Sequence, residues 1–217
     1  MRKLIWFILV LWLAGFVGAA SAQEPAPASV TAELKNAQGQ VVGYATLITI
    51  ESGAVSVQVN VTGLATAVGK HGIHLHAVGS CTPDFKAAGG HFNPAAAKHG
   101  LDSPQGPHAG DLPNIVFSTD GSASYEAVTD RITLGPGERS IFDADGTALV
   151  IHAGPDDQKT DPTGNSGDRI ACGVLAAAQP PALLPIAGGE DFFSIAVLIL
   201  GSALWIGGLL LRRARTI

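Results

Sequence analysis

From residue 30 onward, apolar and polar side chains alternate along much of the chain. In the stretch AVSVQVNV (54–61), Val55, Val57, Val59 and Val61 fall on one face and Ser56, Gln58 and Asn60 on the other. Successive side chains of an extended strand point to opposite faces, so a period of two predicts a strand with one face buried. GYATLITIE, GIHLHA, SASYEAV, ALVIHAG and RIACGVLA repeat the rhythm in short pieces. Asp120-Gly121 and Asp145-Gly146 interrupt it as turn residues do. No long stretch of residues 29–177 repeats at helical spacing. The pattern predicts an all-β antiparallel barrel or sandwich.

Two regions break the strand rhythm, 80–114 and 154–168, the latter reading GPDDQKTDPTGNSGD. Both are rich in Gly, Pro and Asp. Loops of this length inside a compact domain usually carry function.

The two ends follow other rules. Arg2 and Lys3 precede an uncharged apolar run (4–20) and the small-residue site Ala20-Ser21-Ala22. That order predicts a secretory signal peptide, residues 1–22, cut after Ala22. Residues 23–28 (QEPAPA) read as a flexible leader and 178–191 as a linker. Residues 192–211 are uncharged and mostly apolar, and as a helix would span about 30 Å, enough to cross a bilayer. Arg212, Arg213 and Arg215 lie in the tail 212–217, which the positive-inside rule keeps cytoplasmic. Both ends therefore predict an exported domain, 29–177, held at the cell membrane.

Charge and cysteine content narrow the picture further. Between residues 23 and 188 there are 8 Lys and Arg against 16 Asp and Glu, a net charge near −8. That surface argues against nucleic acid as a partner. The chain has two cysteines, which in an exported protein most simply form one disulfide.

The candidate chemistry is a concentration of histidines. His74 and His76 are two apart, so on a strand both imidazoles share a face. Alone they fit a pair of surface histidines as well as half of a copper or zinc site. The first long loop adds GGHFNPAAAKHG and GPHAGD, which contain His91, His99, His108 and Asp111. Three imidazoles and a carboxylate suit a closed four-coordinate zinc site. His152 ends the predicted strand ALVIHAG. Six of the seven histidines thus lie on one strand, one loop and one strand end.

These segments resemble the copper/zinc superoxide dismutases. The matching stretches are HGIHLHAVGSCT (71–82), GGHFNPAAAKHG (89–100), HAGDLPN (108–114), HAGPDD (152–157) and GNSGDRIACGV (164–174). The resemblance implies an eight-stranded antiparallel Greek-key β-barrel with two long functional loops. It implies dismutation of superoxide to O2 and H2O2 with one copper and one zinc per subunit. By motif, His74, His76, His91 and His152 match the copper ligands, and His91, His99, His108 and Asp111 the zinc ligands, with His91 as the bridge. Asp156 matches the carboxylate that orients a ligand of each metal. Arg169 matches the arginine beside the open copper position, and Cys81 and Cys172 match the family disulfide. His71 matches a structural histidine. A homodimer is compatible with the resemblance. The alternative is a non-catalytic copper- or zinc-binding module on the same fold.

Two features depart from the family pattern. Many members carry a lysine shortly before the Gly-Asn pair of the second loop, where this chain reads TDPTGN and the nearest cation is Lys159. Asp168 also adjoins Arg169, so attraction of superoxide is expected to be weaker or arranged differently. In addition, LPIAG (184–188) resembles a sortase sorting signal with Ala187 in place of the usual threonine. A membrane anchor remains the first expectation and attachment to the cell wall the second.

Overall fold

The computed structural model describes residues 29–176. Nine strands form there: β1 (Ser29–Asn36), β2 (Val41–Thr49), β3 (Val55–Val61), β4 (Gly69–His71), β5 (Ile73–His76), β6 (Ile115–Phe117), β7 (Ala123–Thr129), β8 (Thr147–His152) and β9 (Arg169–Leu175). Seven make one curled sheet in the order β5-β8-β9-β1-β2-β3-β7, and β4 pairs with β6. Every pairing between named strands is antiparallel.

The alternation read from the sequence sets which face is buried. Val55, Val57, Val59 and Val61 of β3 are at most 1% exposed, and Val30, Ala32 and Leu34 of β1 face the same core. Among the described residues, twelve large apolar side chains are fully buried, including Leu47, Ile73, Leu75, Leu149 and Ile151. Each such burial stabilises the fold by about 1.5–3 kcal/mol before conformational entropy is subtracted.

The expected count of eight strands is corrected to nine. One predicted strand, GIHLHA, is part of a run divided at Gly72 into β4 and β5. Gly72 bonds through its N–H to Gly154 O and through its carbonyl to His152 N. The run therefore pairs with β6 before Gly72 and with β8 after it. A Cβ on Gly72 would lie 2.8 Å from the Cβ of Ser166, so the close approach at this break requires glycine.

β8 is buried on both faces. Leu149 and Ile151 enter the main core, whereas Ala148 and Val150 join a second cluster with Ala88, Cys172, Cys81 and Phe85. The first long loop covers that outer face. It contains a short 3-10 turn, Phe85–Ala88, capped by the Asp84 carboxylate, which accepts from Lys86 N at 2.9 Å. Strand periodicity gave no sign of this turn.

The predicted signal peptide, leader, membrane helix and basic tail lie outside the described residues, as does all but the first part of the region after β9. Among the described residues, no helix is long and apolar enough to cross a membrane.

Candidate metal centre

On β5, Ile73 and Leu75 point into the core, which turns His74 and His76 outward beneath the loops. The first loop bonds to the edge of this strand. Isolated bridges join His74 to Asp111 and His76 to His91. β8 brings His152 alongside, and β9 begins with Arg169 as its partner in register. Six histidines that are up to 78 positions apart in the chain thus converge, each at most 7% exposed.

Two donor sets result. The ligand-capable atoms of His74, His76, His91 and His152 lie within 4.8 Å of one another, with His76 Nε2 and His152 Nε2 only 3.3 Å apart. Those of His74, His91, His99 and Asp111 also lie within 4.8 Å. His108 closes on the second set: its Nδ1 is 3.4 Å from His91 Nδ1 and 3.3 Å from Asp111 Oδ1. The Nδ1 atoms of His91 and His99 lie 2.9 and 3.0 Å from the same oxygen. Donors bonded at 2.0–2.1 Å to a tetrahedral ion would be about 3.4 Å apart, so the residues present fit a metal. The other oxygen of Asp111 is occupied by the N–H groups of Gly100 and His108.

By distance alone, both His74 and His91 belong to the two sets. Their hydrogen bonds distinguish them. His74 Nε2 is bound to Asp156 Oδ2 at 2.7 Å, leaving one buried nitrogen, Nδ1, without a partner. His91 directs Nδ1 at the Asp111 cluster while its buried Nε2 has no partner. The difference lies in the partner: His91 Nδ1 meets Asp111, itself a member of the second set, whereas His74 Nε2 meets Asp156, which belongs to neither.

Surrounding groups fix the rings. The Asp156 carboxylate spans from His74 Nε2 to His99 Nε2, at 2.7 and 3.0 Å. His76 Nδ1 donates to Gly89 O and His152 Nδ1 to Gly167 O, which leaves each Nε2 as the free lone pair. Such partners set the tautomer and orientation of an imidazole ligand. His71 stands outside both sets, with Nδ1 donating to His152 O and its ring edge-on to Phe117.

Three supporting residues were not singled out in the sequence. Asn114 donates to Asp156 O and accepts from Asp156 N, both at 2.8 Å, clamping that residue's backbone. Gly164 has φ +60° and packs against Asp156 and His99 where no side chain fits. Asp161 accepts from His99 N at 2.8 Å. Asn114 and Gly164 lie inside the matching motifs HAGDLPN and GNSGDRIACGV, but only the folded contacts show what they touch.

Burial pushes the pKa of His74 down to about 3, of His76 to about 2 and of His152 to about 4, assisted by neighbouring histidines. These imidazoles are therefore neutral near pH 7 and keep a lone pair for an ion. For His99, burial acts downward but is outweighed by the bonds to Asp111 and Asp156, which raise it to about 9. Burial alone would raise Asp111 and Asp156, yet their bonds to histidines hold both well below the usual carboxylate range.

Arg169 is partly exposed, and its guanidinium donates to the carbonyls of Phe85 and Gly89. The disulfide Cys81–Cys172 forms and ties this part of the loop to β9. The Gly89 carbonyl therefore holds both His76 and Arg169.

A curled antiparallel sheet bearing two adjoining imidazole-rich donor sets defines a β protein equipped to hold metal ions. The family model "Copper/zinc superoxide dismutase (SODC)" matches residues 41–175. The chain is 50% identical over 146 residues to "Superoxide dismutase [Cu-Zn] 2" of Aquifex aeolicus, covering 66% of this chain and 84% of that protein. It is 43% identical over 151 residues to "Superoxide dismutase [Cu-Zn]" of Caulobacter vibrioides, covering 68% and 85%. The crystal structure of a SOD-like protein from Bacillus subtilis is similar, with a TM-score of 0.62 at 36% identity over 67% of this chain and 97% of that one. The chain belongs to the copper/zinc superoxide dismutase family.

Proposed function

We propose that this protein dismutates superoxide, converting two superoxide anions and two protons to O2 and H2O2. The observation that carries this reading is His91, which lies in both donor sets, with Nδ1 at Asp111 and a buried Nε2 that has no partner. His74, His76, His91 and His152 would hold copper, and His91, His99, His108 and Asp111 would hold zinc. Bound there, copper supplies reversible one-electron chemistry and zinc a fixed positive charge.

The chain's own residues have distinct tasks. Arg169, fixed by two carbonyls, presents a permanent cation that attracts and holds the superoxide anion. His91 Nε2 is the atom at which a proton can be held and passed to departing peroxide. Asp156 keeps the rings of His74 and His99 in place. A non-catalytic module would be expected to lack the shared histidine, the arginine or one of the other ligands, and this chain has them all.

The seven- and two-stranded sheets are best read as one Greek-key barrel, joined where the chain passes from β4 through Gly72 to β5. Residues 1–22 are proposed to direct export and 192–211 to anchor the domain outside the membrane, with 212–217 inside. Mass spectrometry of the mature protein tests this: an N-terminus at Gln23 and an intact C-terminus support it, whereas a chain ending at Ala187 joined to cell wall supports sortase processing.

His152→Ala tests the activity. Superoxide consumption should vanish while the barrel remains folded and binds zinc. Wild-type activity in that variant would overturn the copper assignment.

A further inference from the structure

Three side chains hold the segment that begins at Asp111. The carbonyls of Asp111, Leu112 and Pro113 accept in succession from Arg131 Nη2 at 2.7 Å, Gln158 Nε2 at 3.2 Å and the Tyr125 hydroxyl at 3.0 Å. Tyr125 lies on β7 and Arg131 two residues beyond its end, so neither belongs to the two long loops. Arg131 also lies outside every stretch that resembles the family. Its own backbone is fixed. Its N–H donates to Thr129 Oγ1 at 3.2 Å, the flanking Thr129 and Ile132 are buried, and Arg139 donates to the carbonyl of Asp130. The Nε of Arg131 is buried without a partner among the described residues. Burying that nitrogen is unfavourable, so the direction of the side chain is set by the bond that Nη2 makes to Asp111 O.

We infer that Arg131 is a positioning residue for the zinc half of the centre, acting through the backbone of Asp111, an inference that rests on the assignment of zinc to His91, His99, His108 and Asp111. Asp111 is 0% exposed, and both of its carboxylate oxygens are committed. Oδ2 accepts from the N–H groups of Gly100 and His108, while Oδ1 faces His91, His99 and His108. Where Oδ1 lies relative to those imidazoles follows from where the Asp111 backbone lies. A buried peptide carbonyl requires a donor, and the guanidinium supplies a charge-assisted one from a planar group that is always protonated. Without it the carbonyl turns toward water, and Oδ1 moves off the imidazoles. Gln158 and Tyr125 are neutral and hold the next two carbonyls, further from the ligand atom. Arg131 therefore ties the residue just after β7 to a zinc ligand 20 positions earlier in the chain.

The test uses the full, folded, metal-free chain, with zinc alone as the probe. Arg131→Met keeps an unbranched apolar stem but no donor, and Arg131→Lys restores a charged donor on a shorter stem. Arg139→Met is the control: it removes the same charge, and a bond to a carbonyl, from the same segment without touching Asp111. In chelator competition, Arg131→Met should bind zinc about 10–100-fold more weakly than the wild type, with Arg131→Lys between them and Arg139→Met unchanged. A role confined to general support would lower the urea midpoint and leave the zinc affinity of the folded chain alone. Cobalt(II) in place of zinc gives a second readout, since its visible ligand-field bands should change in Arg131→Met and not in Arg139→Met. Equal zinc affinity and the same cobalt spectrum in Arg131→Met and the wild type would overturn the inference. So would a lysine variant that binds zinc no more tightly than the methionine variant, or an equal loss in Arg139→Met. Should Arg131→Met not fold, Arg131→Lys is compared with Arg139→Met, and equal zinc affinities there overturn it. A wild-type chain that takes up no zinc would overturn the zinc assignment itself, and the role of Arg131 with it.

Discussion

Gly164→Ala probes the support beneath the metal centre. At φ +60°, an alanine pays about 1–2 kcal/mol for a left-handed backbone. Its Cβ would also overlap the Asp156 carboxylate and lie 2.6 Å from His99 Nε2. Asp156 must then move, weakening its bonds to His74 and His99. Hydrogen bonds to charged groups contribute about 1.5–3 kcal/mol each, so losing much of both adds about 3–4 kcal/mol after the loop relaxes. Gly167→Ala is the control. Its φ is +77°, but its Cβ would meet nothing closer than 3.9 Å, so it carries the backbone cost alone. Urea unfolding of the two metal-free variants should differ by about 3 kcal/mol. Chelator competition should show zinc binding about 10–100-fold weaker in Gly164→Ala than in the control. Equal stability and equal zinc affinity in the two variants would refute the argued role of Asp156.

Two further outcomes follow from the site. His74, His76 and His152 titrate well below 6.5 in the folded metal-free chain, so between those values and 6.5 the unfolded chain binds more protons. Stability must then fall as pH drops below 6.5, by up to about 1.4 kcal/mol per pH unit for each histidine. His99 is raised to about 9, so its contribution is lost as pH rises from 6.5 toward 9. Denaturant midpoints of metal-free protein should peak near pH 6.5, and a flat profile down to pH 4 would contradict the burial argument. Arg169→Ala should lower superoxide consumption about 10-fold or more and reduce its dependence on ionic strength, leaving metal content unchanged. Unaltered rates in stopped-flow assays at low salt would show that the guanidinium does not guide the substrate.

Local periodicity carried the strands, because burial of one face imposes alternation directly on β3 and β1. It carried β8 less fully. Val150 and Ala148 are apolar because a covering loop buries the outer face, and that loop is placed by contacts distant in sequence. The donor residues were legible as residue types concentrated in irregular segments, and the motif resemblance sorted them into two sets. The geometry adds that His74 lies close to both, a consequence of its ring stacking on His91 at 3.9 Å between centroids. Asn114 and Gly164 were not legible as supports. Asn114 lies 42 positions from the Asp156 backbone it clamps, and nothing in the sequence pairs them. The division at Gly72 was hidden for the same reason, since Ser166 and Gly154 impose it from the second loop.

At issue is whether two metals meet at His91 and whether that centre consumes superoxide. One preparation measured for bound copper, bound zinc and superoxide consumption tests it most directly. One copper and one zinc per chain are expected, with activity that is lost when copper is removed and restored when it is returned. Near-stoichiometric zinc with no copper uptake, and no activity after copper reconstitution, would contradict it.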